Sequence, residues 1–303
     1  MMASEAASSP ETEVSSPRYR GIDTWDAGDV LHALWEAQAA AVAAVRAALP
    51  QIEPAAAGAV ARLAGGGRLA YAGAGTSARI AAQDAAELAP TFGWPPERTC
   101  VLIAGGTAAL AISVEGAEDD VRAARSAVDR AALGPADVLL GIAASGFTRF
   151  TVACVQHARA RGTLTVGLSS VADSALPRAA EHAIVTPTGA EPIAGSTRLK
   201  AGTAQKIVLN LFSTLLMIRL GHVHDGMMVD MVPSNEKLRR RARAMVQQIT
   251  GCAADAAEAA LARSDHNVKR AVLLLRGVDP ARLESTLAAS GGSLRAALAA
   301  LAP

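Results

Sequence analysis

The chain has few aromatic residues, few cysteines and almost no net charge, and each shortage excludes a class of function. Phe, Trp and Tyr make up 3% of the 303 residues, too few for the stacking platforms that read single-stranded nucleic acid. Twenty-nine Lys and Arg stand against 28 Asp and Glu, a net charge of +1, so no nucleic-acid partner is expected. Cys100, Cys154 and Cys252 are odd in number and far apart. They fit neither a disulfide framework nor a zinc knuckle, and they agree with a reducing, cytoplasmic setting. Mean hydropathy is +0.25, but alanine is its source. The most apolar stretch, Ile207–Leu220, is interrupted by Asn210, Ser213, Thr214 and Arg219 and falls short of the ~20 residues of a membrane span. The N-terminus lacks an apolar core of signal-peptide type, so no secretory leader is expected. Hydrophobic residues at 51% against 19% charged allow a sizeable buried core, and the length predicts about two domains.

Four regions follow from the patterning. Residues 1–20, rich in Ser, Glu and Pro, read as a mobile arm. Residues 21–64 read as N-terminal helices packing on the core. Val30, Leu31, Leu34, Ala41, Val42 and Val45 form an apolar stripe behind an Asp29 cap, Gln38 is its polar interruption, and a second helix runs from about 52 to 64. Residues 65–225 hold five strand-sized apolar runs at 68–72, 100–104, 137–143, 163–168 and 182–186, most of them separated by helix-length segments. That alternation predicts an α/β fold with a parallel five-stranded sheet flanked by helices. Residues 226–303 read as a small all-α region, with helices at Asn235–Thr250 and about 253–263, 266–276 and 279–302. A long apolar helix, Lys200–Gly221, precedes it. No internal repeat is evident.

In parallel sheets, ligands bind where strands turn into helices. After the first strand stands Gly73-Ala74-Gly75-Thr76-Ser77-Ala78, which matches the dinucleotide pattern G-x-G-x-x-A. The second strand ends in Ala104-Gly105-Gly106, without the acidic residue that holds a ribose, while Thr76 and Ser77 offer hydroxyls suited to a phosphomonoester. After the third strand, Ser145, Gly146 and Thr148 make a second cradle of the same kind. A lone loop of this sort is an ordinary helix cap; two after neighbouring strands point to a sugar phosphate. Ser196, Thr197 and Lys200, at the start of the long helix, are placed to close over such a ligand from the far side.

Glu87 sits near the end of an alanine-rich helix among apolar residues. The helix dipole and desolvation would both favour its protonated form, as an acid catalyst needs. Glu115 lies in Ser113-Val114-Glu115-Gly116. Glu118, Asp119 and Asp120 read as dipole partners of the helix they head. His222-Val223-His224-Asp225 invites a metal reading, but without a third ligand cluster it reads as a loop of solvated histidines. The run Lys237, Arg239, Arg240, Arg241, Arg243 reads as a solvated helix face.

Together the strings GAGTSAR, DAAELAPTFG, LIAGG, SVEGAEDD, GIAASGFT, EPIAGSTRLKAGTAQK and MVDMVPSNEKL, with Thr12-Glu13 and Ile22-Asp23-Thr24 before them, resemble the N-acetylmuramic acid 6-phosphate etherase family. The resemblance spans nearly the whole chain. It implies the sugar isomerase (SIS) fold and cleavage of the sugar's D-lactyl ether with water, giving N-acetylglucosamine 6-phosphate and D-lactate in cell-wall recycling. It also implies a homodimer, with no metal and no organic cofactor. By it, Glu87 matches the proton donor and Glu115 the second catalytic glutamate. Ala78 stands where the family has glycine and Leu88 where it more often has cysteine, changes that bear on substrate preference rather than reaction type. Two other readings share the fold: a non-catalytic sugar-phosphate sensor of the glucokinase regulatory protein type, and an aldose–ketose isomerase.

Overall fold

The computed structural model describes residues 10–301, and these fall into two compact units. The first comprises residues 10–84 and Thr99–Phe212, the second Ala85–Arg98 and 213–301. Residues 1–9 of the expected N-terminal arm lie outside the described residues. In the rest of that arm, 3-10 turns at Glu11–Glu13 and Pro17–Tyr19 bury Thr12 and Tyr19.

The first unit is built on five strands, β1 (Leu69–Gly73), β2 (Thr99–Ile103), β3 (Val138–Ile142), β4 (Leu164–Ser169) and β5 (His182–Val185). They pair in the order β2-β1-β3-β4-β5, every pair parallel. β1, β3 and β4 are buried along their whole length, as continuous apolar runs covered on both faces must be. The register sets Gly73 level with Ile103 and Ile142. The loops after β1, β2 and β3 therefore leave the sheet at one edge. Helices α2 (Gly75–Phe92), α3 (Val121–Arg130), α4 (Arg149–Ala160) and α5 (Ala175–Ala179) are the connections between strands. Phe150, Cys154 and Val155 of α4 pack with Ala70, Ala72 and Leu139 of the sheet in one apolar core.

Helix α1 runs unbroken from Ala27 to Ala64, where two helices were expected, and it starts after Asp26 rather than Asp29. Pro50 and Pro54 lie inside it. Both face solvent, so the carbonyls of Arg46 and Pro50, which lose their N–H partners, can be satisfied by water. The buried face is Ala37, Ala41, Val45, Ala48, Ile52, Ala55, Ala56, Ala59 and Leu63. The expected apolar stripe is thus split: Val45 and Ala41 are core, whereas Leu31 and Val42 are exposed, together with Trp35 and Leu49.

Helix α6 (Lys200–Arg219) passes from the first unit into the second. It has the length and composition of a membrane span, but 56% of its apolar window is buried within the protein.

The second unit contains the end of α2 and helices α7 (Glu236–Thr250), α8 (Ala254–Ala262), α9 (Val268–Leu275), α10 (Leu283–Ala289) and α11 (Leu294–Leu301). The Asn235 side chain caps α7 by accepting from Leu238 N at 2.9 Å, and its basic run is largely exposed as expected.

This unit holds an internal repeat that was not expected. The pairs α8–α9 and α10–α11 match at a shift of 26 positions, Leu261 to Leu287 and Ala271 to Ala297. In each, the first helix ends as two residues enter the left-handed region: Asp265 and His266 (φ 51° and 57°) in one, Gly291 and Gly292 (φ 58° and 76°) in the other. His266 N bonds to Leu261 O at 2.9 Å, and Gly292 N to Leu287 O at 2.8 Å. Asn267 and Ser293 then cap the second helices.

The histidines expected in a solvated loop are instead packed. His224 is buried and pairs in a short bridge with Met227. Desolvation lowers its pKa, the neighbouring Asp225 carboxylate opposing. His222 is half-buried, edge-on to Trp94 and 2.8 Å from Asp230.

Candidate active site

Two clefts open at the carboxyl edge of the sheet, both within the first unit, and they share Ala74, Gly75 and Glu118. The larger, of 390 Å³, is polar and is walled by Thr76 and Ser77 from the start of α2, Ser145, Phe147 and Thr148 from the loop after β3, and Thr197. Its described lining contains no lysine or arginine. An anion there would be held by neutral donors: the free N–H groups at the head of α2 and the hydroxyls around it. Ser145 Oγ accepts from Phe147 N at 3.2 Å, which fixes the second loop. Gly146 has φ +73°, and a Cβ on it would lie 1.9 Å from Ser174 Oγ. Only glycine lets this loop pass so close to Ser174. Ser77 is buried and its Oγ donates to Gln205 Oε1 at 3.0 Å.

The smaller cleft, of 230 Å³, is lined by Ala104, Ala109, Ser113, Val114 and Glu115 with Arg79. Glu115 is exposed on its wall. Arg79 donates to Leu110 O at 2.9 Å and to Ala109 O at 3.1 Å, tying the loop that carries Glu115 to helix α2.

Glu87 lies three turns beyond Ser77 along α2, in the second unit, and lines neither cleft. It is exposed, so the expected desolvation is absent within one chain; Leu88, its neighbour, is the buried one. Lys200 is also placed differently from expectation. Its Nζ donates to Thr188 O at 2.7 Å, and its side chain lines neither cleft. Burial lowers its pKa, opposed by the Glu191 carboxylate. Glu191 is fully buried and accepts from Lys200 N and Ala201 N, both at 2.9 Å. A carboxylate thereby caps α6, and Lys200 anchors the segment that delivers Thr197. Ser196, half-buried, is on neither wall.

Four charged residues of the clefts were not expected. Glu13 reaches the polar cleft because Gly195 N bonds to Thr12 O at 3.0 Å, strapping the N-terminal turn across the loop before α6. Arg79 is the loop tie described above. Glu118 and Asp119, read as dipole partners of α3, face the polar cleft, and Asp120 alone caps that helix, accepting from Ala123 N at 2.8 Å. Only the long-range fold could reveal the first two. Among the described residues no group of three metal-ligand side chains occurs.

Comparison with known proteins gives this edge of the sheet a context. The chain is 46% identical over 288 residues to an N-acetylmuramic acid 6-phosphate etherase of Deinococcus radiodurans, covering 95% of this chain and 94% of that one. It is 48% identical over 290 residues to an N-acetylmuramic acid 6-phosphate etherase of Streptomyces coelicolor, covering 95% and 93%. The chain belongs to the N-acetylmuramic acid 6-phosphate etherase family. Its residues 54–159 match the glucokinase regulatory protein N-terminal SIS domain, the segment from late α1 to the end of α4 that contains both hydroxyl loops. A phosphoheptose isomerase of Francisella tularensis superposes with a TM-score of 0.50 at 19% identity, covering 64% of this chain and all of that one. The etherase chain thus shares the SIS fold with isomerases.

Proposed function

We propose that this protein cleaves the D-lactyl ether of N-acetylmuramic acid 6-phosphate to N-acetylglucosamine 6-phosphate and D-lactate, as a carbon–oxygen lyase. The observation that carries the reading is the polar cleft: two hydroxyl-bearing loops at the heads of helices, joined to a second cleft with a carboxylate, in a chain 46–48% identical to two etherases. The 6-phosphate is assigned to Gly75, Thr76, Ser77, Ser145 and Thr148, with Gly146 shaping the loop and Thr197 closing from the α6 side; Ser196, on neither wall, precedes Thr197 in the same loop. Lys200 is assigned a positioning role.

The reaction follows from the substrate. In the open-chain aldehyde the C2 proton is α to a carbonyl, and the lactyl oxygen leaves from C3. A base takes the C2 proton, the electron pair forms the C2–C3 double bond, and the C3–O bond breaks as an acid protonates the departing oxygen. Water then adds at C3 and a proton returns to C2. Glu115, on the wall of the smaller cleft, is assigned as the base. Glu87, which lines neither cleft within one chain, is assigned as the acid by its match to the family's proton donor. These are the two roles that a pair of carboxylates can share.

A second copy of the chain is the inferred partner. Leu31, Trp35, Val42 and Leu49 are 47–69% exposed on α1; their spacing sets them along one helical face, which a homodimer would cover. The three cysteines are free, in keeping with the cytoplasmic enzyme we infer.

The test is incubation of the purified protein with N-acetylmuramic acid 6-phosphate and an assay for D-lactate. Release is expected with the phosphorylated sugar and not with its unphosphorylated form. Binding of the 6-phosphate without release of lactate would favour the sensor reading instead.

A further inference from the structure

Gln205 lies on the buried side of Ser77, one turn into α6 and 1% exposed. Its Oε1 accepts the Ser77 hydroxyl at 3.0 Å. Its Nε2 is buried without a hydrogen-bond partner among the described residues. An orphaned buried NH₂ group is costly, and a side-chain amide occupies nearly the same space after its ends exchange. Turning Gln205 over brings Nε2 to where Oε1 stands, facing Ser77 Oγ.

The exchange matters to the cleft. With Oε1 facing it, Ser77 spends its only proton on Gln205 and can offer an anion nothing but lone pairs. With Nε2 facing it, Ser77 accepts from Gln205 and its proton is free to be donated into the polar cleft that it lines. A phosphate dianion is acceptor-only, so it gains from the second arrangement alone.

We propose that Gln205 is a positioning residue that turns its Nε2 toward Ser77 Oγ and so makes Ser77 a hydrogen-bond donor to the sugar phosphate. The inference rests on the reading of the polar cleft as the 6-phosphate site, and it adds a group that does not itself touch the ligand. With the amide turned this way Oε1 takes the unpaired place, and the Ser77 hydroxyl makes one bond more, to the phosphate.

Calorimetric titration of the full chain with N-acetylglucosamine 6-phosphate tests it through a double-mutant cycle. Gln205→Met keeps the volume and removes both polar ends, so the hydroxyl loses its partner. Affinity is expected to fall roughly 3–10-fold, about the worth of one hydrogen bond. Gln205→Glu leaves an acceptor that claims the Ser77 proton permanently, and a loss of about 10–100-fold is expected, as for hydrogen bonds to charged groups. In a Ser77→Ala background both losses should shrink to under about 3-fold, because no hydroxyl remains to be oriented. A Gln205→Glu loss that persists in that background is charge repulsion and overturns the proposal. A Gln205→Met loss that persists is a packing effect and overturns it equally. Should Gln205→Glu fail to fold, the Met cycle alone decides. If the unaltered protein does not bind N-acetylglucosamine 6-phosphate at all, the assignment of the cleft falls with the proposal. If it binds, and Ser77→Ala weakens it without coupling to residue 205, only the role of Gln205 falls.

Discussion

Arg68 grips Asp137 at two points, Nε donating to Oδ1 at 3.1 Å and Nη2 to Oδ2 at 2.7 Å. Arg68 N and Gly134 N add bonds of 2.9 and 3.0 Å to the same carboxylate. The pair joins the residue before β1 to the residue before β3 and sets the register of two central strands at their amino ends, opposite the clefts. Burial works against the charge of Asp137, but these donors outweigh it and hold its carboxyl below the usual 3.8.

A carboxylate whose folded pKa is depressed contributes stability above its unfolded pKa and loses it as pH falls through the folded value. Denaturant midpoints measured downward from about pH 5 should therefore fall with acidification, with Asp137 among the causes. Asp137→Ala should cost about 2–4 kcal/mol at pH 7, since it removes the carboxylate that four donors share and leaves the Arg68 guanidinium only the Ala131 and Ala132 carbonyls. Its acid limb should also be flatter. A variant as stable as the unaltered protein would show that the pair contributes nothing net.

Gly146→Ala meets Ser174 Oγ at 1.9 Å and places a side chain at φ +73°. Overpacking of this kind costs about 1–3 kcal/mol, and the left-handed backbone adds ~1–2. The loop should shift, so affinity for N-acetylglucosamine 6-phosphate should fall along with the melting temperature. Unchanged affinity in calorimetry would remove this loop from the phosphate site.

The two glutamates separate by isotope exchange. Glu115→Gln removes the base, so neither exchange of the C2 hydrogen with deuterated water nor lactate release should proceed. Glu87→Gln removes the acid, so exchange should continue while lactate release falls by about 10²–10⁴-fold. The opposite pattern would reverse the roles, and near-normal release from both variants would sink the mechanism.

Trp35→Glu places a charge in the exposed face of α1. Light scattering at micromolar concentration should give twice the chain mass for the unaltered protein and a smaller mass for the variant. A monomeric mass for both would leave that face without a second copy.

All five strands were legible because each is a short apolar run ending in a turn, and β1, β3 and β4 are buried on both faces. The hydroxyl loops were legible for a related reason: one such loop after a strand is an ordinary helix cap, but two after neighbouring strands of one sheet mark a ligand edge. Glu13 and Arg79 were not, since each reaches its cleft through a backbone or loop contact far away in sequence, Thr12 with Gly195 and Arg79 with Leu110. Lys200 misled because its place in the string says nothing about direction. Buried Glu191 caps the helix backbone and Thr188 O holds the ammonium, so the side chain points inward. Two helices were expected where α1 runs unbroken; its Pro50 and Pro54, on a solvent face, cost it only hydrogen bonds that water can replace.

The repeat in the helical unit escaped notice because its defining turn is written in different residues, Asp265-His266 in one copy and Gly291-Gly292 in the other. Those two turns are an internal control supplied by the molecule itself. They share a backbone, a hydrogen-bond pattern and a solvent, and differ in whether the residues tolerate left-handed geometry without strain. Grafting the glycine pair into the first turn reads out directly the conformational cost that one copy carries and its twin does not.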